Sequence, residues 1–256
     1  MPLRYEIVGN VGVMTIDFPE KRNALSYAAR IEMERVVTEM RDDPGVRAVV
    51  ITGVPGAFCS GGDISSFAKS TPVEMRDRLK QQHRVTRMMY DLEKPIVAAV
   101  DGPAFGVGFN IALLSDLILA SPSAKFCQVF SKVAIVPDGG GLYLLARIVG
   151  MQRAKAMFFL AQTIAAEEAQ NLGIVHAVHS SETILDEAMA LATHLAAGPT
   201  RAFGLGKAML NRGMDMDFSS YLELEAVGEA YIMETEDHQN AVTAFLEKRK
   251  PVFKGR

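Results

Sequence analysis

Two glycine-rich stretches carry the residue types best suited to chemistry in this sequence. The first is Gly56-Ala57-Phe58-Cys59-Ser60-Gly61-Gly62-Asp63-Ile64, and the second is Asp101-Gly102-Pro103-Ala104-Phe105-Gly106-Val107-Gly108-Phe109-Asn110. Glycine lets the main chain approach a ligand closely, so either stretch can present backbone N–H groups to an oxygen that gains negative charge. Taken singly, each reads equally well as a tight strand-to-helix turn. A dinucleotide fingerprint is a poor fit, because the G-x-G-x-x-G that would start at Gly106 ends on Ile111 and no phosphate-loop Lys-Ser/Thr pair follows.

Carboxylates for acid–base work are scarce around these loops. No Glu lies between Glu93 and Glu167, and between residues 96 and 141 the acidic side chains are Asp101, Asp116 and Asp138. Asp101 heads a Gly-Pro turn and Asp116 precedes an apolar run, so both read as structural. Asp138 sits in Val136-Pro137-Asp138-Gly139-Gly140-Gly141, after apolar residues and before a helical pattern. Burial there would raise its pKa toward the range a general base needs. A Pro-Asp-Gly turn whose Asp caps the next helix is the alternative.

The elements that must position these groups alternate in type. Strands are expected over 3–8 and 12–18, joined by Gly9-Asn10, and a helix over 26–41 with Ser26 as its cap. A buried strand follows over 48–52. Thr71-Pro72-Val73-Glu74 combines a cap, a first-position Pro and a Glu three residues on, which predicts a long helix reaching about residue 92. His83 on that helix either lines an acyl pocket or is a solvated or structurally bonded histidine. Strands over 95–100 and 117–120 flank a short helix over 108–115. Beyond Gly139 the patterns are helical, interrupted by one strand over 174–178. The expected fold class is α/β, with a core over residues 1–195 and a helical region over 196–256.

The bulk numbers exclude several classes. At 256 residues with 49% apolar and 22% charged residues, one sizeable core is expected. A net charge of −3 and a pI near 6.0 argue against nucleic acid and against a polybasic membrane surface. No run of about 20 apolar residues suggests a membrane span. No leader pattern is evident, so a cytoplasmic location is expected. The two cysteines, Cys59 and Cys127, suit a reducing compartment, and no metal site is expected.

Glu20-Lys21-Arg22-Asn23-Ala24-Leu25, the two glycine loops, and Phe245-Leu246-Glu247-Lys248-Arg249 together resemble the crotonase, or enoyl-CoA hydratase/isomerase, superfamily. The resemblance spans nearly the whole chain. It implies a spiral ββα core, a helical C-terminal trimerisation region and assembly as a homotrimer or a hexamer. It also implies a coenzyme A thioester as substrate, with no cofactor permanently bound. The oxyanion-hole N–H donors of the family match Gly62 and Val107. The positions that carry the two catalytic Glu residues of its hydratases match Asn110 and Phe130, neither of which is a base, so these two become possible acyl-pocket residues. The resemblance assigns coenzyme A contacts to Lys21, Arg22, Ala24, Ser60, Asp63, Ile64 and Lys248.

Phe130-Ser131-Lys132, Pro137-Asp138-Gly139-Gly140 and Phe203-Gly204-Leu205-Gly206-Lys207 look like the phenylacetate-pathway 1,2-epoxyphenylacetyl-CoA isomerases, whose base matches Asp138. Isomerisation through Asp138 is therefore the expected activity. A weak or atypical hydratase and a non-catalytic acyl-CoA-binding protein remain as alternatives. A dehalogenase is disfavoured, because its active-site Trp has no counterpart in a chain with no Trp.

Overall fold

The computed structural model describes residues 3–65 and 70–256. Strands β1 (Leu3–Val8) and β2 (Val11–Ile16) pair antiparallel, with Val8 opposite Val11, so Gly9 and Asn10 form the expected two-residue turn. Helix α1 (Tyr27–Asp42) starts where Ser26 accepts from the Ala29 N–H at 3.2 Å, and β3 (Ala48–Gly53) follows. Helix α2 (Pro72–Tyr90) opens on the predicted reciprocal cap: the Glu74 N–H donates to Thr71 Oγ1 at 3.3 Å, and the Thr71 N–H donates to the Glu74 carboxylate at 2.7 Å. The sequence also suggested that residues 65–74 shape the acyl pocket; positions 66–69 of that segment lie outside the described residues.

The chain continues through β4 (Ile96–Val100), β5 (Pro103–Phe105), α3 (Val107–Leu113), β6 (Leu117–Ala120) and β7 (Lys125–Cys127). After a 3-10 turn at Val129–Val133 come α4 (Gly141–Val149), α5 (Met151–Phe159), β8 (Ile164–Ala165), α6 (Ala166–Asn171), β9 (Ala177–Val178) and α7 (Ile184–Ala196). Three further helices close the chain: α8 (Thr200–Gly213), α9 (Phe218–Met233) and α10 (Glu236–Leu246).

The main sheet runs β1-β2-β3-β4-β6-β9, parallel from β2 onward. Its central strands are buried on both faces, as their continuous apolar runs require. The period-two geometry of a strand divides the core in two. Val49 and Ile51 face α1, α2 and α3, whereas Ala48 and Val50 face Ile184, Ala188 and Ala192 of α7. Each of the valine and isoleucine side chains among them contributes about 1.5–3 kcal/mol on burial. Among the described residues, no helix is long and apolar enough to cross a membrane.

A second sheet, ordered β5-β7-β8, was not foreseen. Strands of two or three residues show no periodicity, so sequence patterns do not reveal them. The strand expected over 174–178 shrinks to Ala177–Val178, because the N–H groups of Ile174 and Val175 turn back to the Ala169 carbonyl at 2.9 and 3.2 Å. Arg47 anchors the C-terminal region to the core. Its guanidinium donates to Gly198 O, Thr200 Oγ1 and Phe253 O.

Candidate active site

The two glycine loops leave neighbouring strands of the main sheet and are laced together by backbone hydrogen bonds. The Cys59 N–H donates to Pro103 O and the Phe105 N–H donates to Cys59 O, both at 2.9 Å. Gly108 packs directly on Cys59: a Cβ there would stand 2.4 Å from the Cys59 carbonyl oxygen. Only a residue without a side chain allows this approach. Cys59 itself is fully buried and its thiol is pushed up to about 12 by desolvation, so it fills space and has no nucleophilic character.

Asn23 fixes the first loop from below. This fully buried amide donates to the carbonyls of Ile16, Ala57 and Phe58, and its oxygen accepts from the Phe18 N–H at 2.7 Å. Asn23 stands in the Glu20-to-Leu25 stretch, where the sequence alone marks no such role for it. Leu25 then pairs along the loop, donating to Gly61 O at 2.8 Å and accepting from the Asp63 N–H at 3.0 Å. Because the residues on either side of Gly62 make those bonds, the Gly62 N–H points away from Leu25. Val107 is the first residue of α3, where an N–H has no partner within the helix. Among the described residues, neither the Gly62 N–H nor the Val107 N–H donates to another backbone group. Each of the two laced loops thus holds one N–H group without a backbone acceptor.

The loop that carries Asp138 packs against Val107 and Gln82 through Gly139. A Cβ on Gly139 would lie 3.9 Å from Val107 Cγ2 and 3.1 Å from Gln82 Nε2. Asp138 does not cap α4: Gly140 occupies the cap position and no side chain bonds there. Instead, the Asp138 carbonyl accepts from Asn110 Nδ2 at 2.8 Å, and Asn110 Oδ1 accepts from Gln128 Nε2 at 2.9 Å. Asn110 is therefore a buried strut under the Asp138 loop as well as part of the inner pocket wall. Gly141 faces it with its bare Cα, since a Cβ would stand 1.9 Å from Asn110 Oδ1.

The Asp138 carboxyl is mostly buried, and desolvation raises its pKa above the ordinary carboxylate value. The Arg30 guanidinium, 4.0 Å away, pulls it back, aided by the Gln82 amide and His83. Gln82 faces the carboxylate without a well-formed hydrogen bond. Asp138 Oδ1 is buried and has no hydrogen-bond partner among the described residues. Arg30 in turn donates to Gln82 Oε1, and burial lowers its own pKa.

A pocket of about 360 Å³ opens beside this group, lined by Leu25, Tyr27, Arg30, Asp63, Met75, Arg78, Leu79, Ile135, Val136 and Asp138. A small inner hollow of about 20 Å³ continues past Arg30, Gln82, Val107, Asn110 and Gly139. Of the two carboxylates in the outer wall, Asp63 is already engaged. Ser65 donates to it at 2.6 Å and Lys21 at 2.9 Å, which hold its pKa down at about 2.

Other expected contacts spread around the mouth. Arg22 is exposed at φ 50°, its carbonyl accepting from the Ser60 N–H at 3.1 Å, and Ile64 is exposed. Ala24 and Ser60 are half-buried. Phe130 is buried beneath Gly106, 3.6 Å from where a Cβ there would lie, and is not in the wall of either pocket. Of the two readings of His83, the structure has the exposed one: its side chain lies on the outer face of α2, and the neighbouring Gln82 turns inward. Lys248 is exposed after α10 at φ 55°, and among the described residues no hydrogen bond or ion pair joins its side chain to the site. Arg30 and Gln82 were missed. Their signal was a polar residue on an apolar stripe, Arg30 with Met33 and Val37, and Gln82 with Val85 and Met89.

Comparison with known proteins agrees with this geometry. The sequence profile described as enoyl-CoA hydratase/isomerase matches residues 6–256. A short-chain-enoyl-CoA hydratase of Clostridium acetobutylicum is 39% identical over 245 residues, covering 94% of this chain and 93% of the relative. A 1,2-epoxyphenylacetyl-CoA isomerase of Escherichia coli is 33% identical over 251 residues, covering 96% of each. The crystal structure of an enoyl-CoA hydratase/isomerase from Cupriavidus metallidurans superimposes with a TM-score of 0.93 at 38% identity, over 99% of this chain and 96% of the other. The α/β core with its C-terminal helices is accordingly the crotonase fold. Sequence match, fold and the two N–H groups without a backbone acceptor lead to one conclusion, that this chain belongs to the enoyl-CoA hydratase/isomerase family and is an acyl-CoA enzyme.

Proposed function

We propose that the enzyme isomerises an enoyl-CoA or related CoA thioester by moving a proton through Asp138. The observation that carries this reading is the contrast between the two carboxylates of the outer pocket. Asp63 is held by Lys21 and Ser65, whereas Asp138 keeps a buried oxygen without a hydrogen-bond partner among the described residues. The thioester carbonyl oxygen accepts hydrogen bonds from the Gly62 and Val107 N–H groups. Asp138 removes a proton from the carbon next to the thioester, the electron pair spreads onto the carbonyl oxygen as an enolate, and the same proton returns at the far end of the double bond. Nothing is added or lost, so one carboxyl group serves both steps. Each main-chain donor to such an oxyanion is worth about 3 kcal/mol in the transition state.

Coenzyme A lies across the mouth, against Arg22, Ala24, Ser60, Ile64 and the Asp63 backbone, with Lys248 near the nucleotide. It enters as part of the substrate and is not a resident cofactor. The chain assembles as a homotrimer or a pair of trimers. Support for assembly comes from α9, where no residue is buried although Phe218, Leu222, Val227, Tyr231 and Met233 are exposed.

Conversion of a β,γ-enoyl-CoA into its conjugated isomer, followed by absorbance of the conjugated thioester, tests the reading. Asp138→Asn is expected to lower turnover by about 10²–10⁴. Undiminished turnover in that variant would sink the assignment. Hydration is the second reading, favoured by the hydratase name of the Clostridium relative. Against it stand Asn110 and Phe130, an amide and a ring where two carboxylates would be needed, and brisk hydration of crotonyl-CoA would restore it.

A further inference from the structure

We propose that Arg30, held in place by Gln82, forms a recognition point for an oxygen atom of the acyl group, so that the site selects CoA thioesters whose acyl chain carries a hydrogen-bond acceptor. The proposal rests on the thioester lying between Gly62 and Val107.

Arg30 is a buried cation with little to bind. It donates to Gln82 Oε1, and its nearest carboxylate, Asp138, is 4.0 Å away, beyond hydrogen-bond distance. Arg30 Nε and Gln82 Nε2 are both buried without a hydrogen-bond partner among the described residues. The Arg30 bond fixes the Gln82 amide with its oxygen toward the guanidinium, which leaves Nε2 near the Gly139 turn. Arg30 lines both the outer pocket and the inner hollow, whereas Gln82 lines the hollow alone. The inner hollow of about 20 Å³ holds roughly one water, so the acyl group stays in the outer pocket of about 360 Å³, where Arg30 is the side chain it meets. A site with buried donors rejects an analogue that lacks the matching oxygen far more strongly than an apolar wall rejects a missing methylene. In isomerisation the charge of Arg30 opposes the rise of the Asp138 pKa, a role that leaves its Nε–H without a hydrogen-bond partner among the described residues.

Isothermal titration of the wild-type protein with three saturated thioesters of equal chain length, pentanoyl-, 4-oxopentanoyl- and glutaryl-CoA, provides the test. At least one oxygenated ester is expected to bind about tenfold tighter than pentanoyl-CoA, the scale of a hydrogen bond to a charged group. Preference for 4-oxopentanoyl-CoA identifies a neutral acceptor, and preference for glutaryl-CoA a carboxylate. In Arg30→Met and in the milder Gln82→Leu, that ratio should fall toward one. Equal wild-type affinity for all three overturns the proposal, as does an advantage that survives in both variants. Failure of every CoA ester to bind instead overturns the acyl-CoA reading of the site, and this inference with it.

Discussion

A single carboxyl group at position 138 is asked to be both buried and ionised, and its neighbours show how the two demands are balanced. Burial raises the Asp138 pKa and the Arg30 cation opposes the rise. A base must be deprotonated to act, so kcat/KM should fall as pH drops through this raised value, above the range of an exposed aspartate. Arg30→Met removes the opposing cation. Its acid limb should move to higher pH, and a pH–rate profile that stays in place would show that Arg30 does not set the base. The same shift acts on folding. A group whose folded pKa is raised favours the folded state most below its unfolded pKa, and that contribution is lost as pH rises through the folded value. An ionised Asp138, as the proposed reaction requires, therefore costs some stability.

At the level of elements, the site is a contact between three loops, each held by a different strut. Gly108 lets the α3 loop rest on Cys59, and Gly108→Ala would drive a methyl group into the Cys59 carbonyl. A loss of about 1–3 kcal/mol is expected, read as a lower melting temperature, together with a fall in kcat as the two N–H donors separate. Asn110 ties α3 to the Asp138 turn and is itself tied by Gln128. Asn110→Ala leaves the buried Gln128 Nε2 unpaired, which should cost about 1–3 kcal/mol. Turnover should fall more than binding, because the turn that carries the base is released while the oxyanion donors remain. Equal losses in kcat and in affinity would argue that Asn110 acts only by packing. The position that looked empty of chemistry in the sequence, an amide in place of a carboxylate, is thus occupied by a support.

Across the whole molecule, the C-terminal helices carry much of the exposed apolar surface, with Phe218 and Val227 of α9 exposed at 74% and 68%. Val227→Asp places a charge on that surface and should shift the protein toward smaller species in size-exclusion chromatography with light scattering, while an unaltered mass would place the subunit interface elsewhere. Much of this architecture was readable in the sequence. The continuous apolar runs of β3 and β4, the Thr71-Glu74 cap, the glycine loops and the absence of Glu between residues 94 and 166 are local patterns, and local patterns are what propensity and periodicity report. The second sheet escaped notice because its strands are too short to have a period. Arg30 and Gln82 escaped because a charged or polar residue on an apolar helix face has a meaning only once the facing helix is in place. The sequence by itself narrowed the candidates for chemistry to two glycine loops with main-chain donors and one aspartate in an apolar turn. Only the tertiary structure decided that Asn110 carries that turn, that His83 faces outward, and that Arg30 stands 4.0 Å from Asp138. Those relations join residues tens of positions apart, and close packing alone sets their distance and orientation.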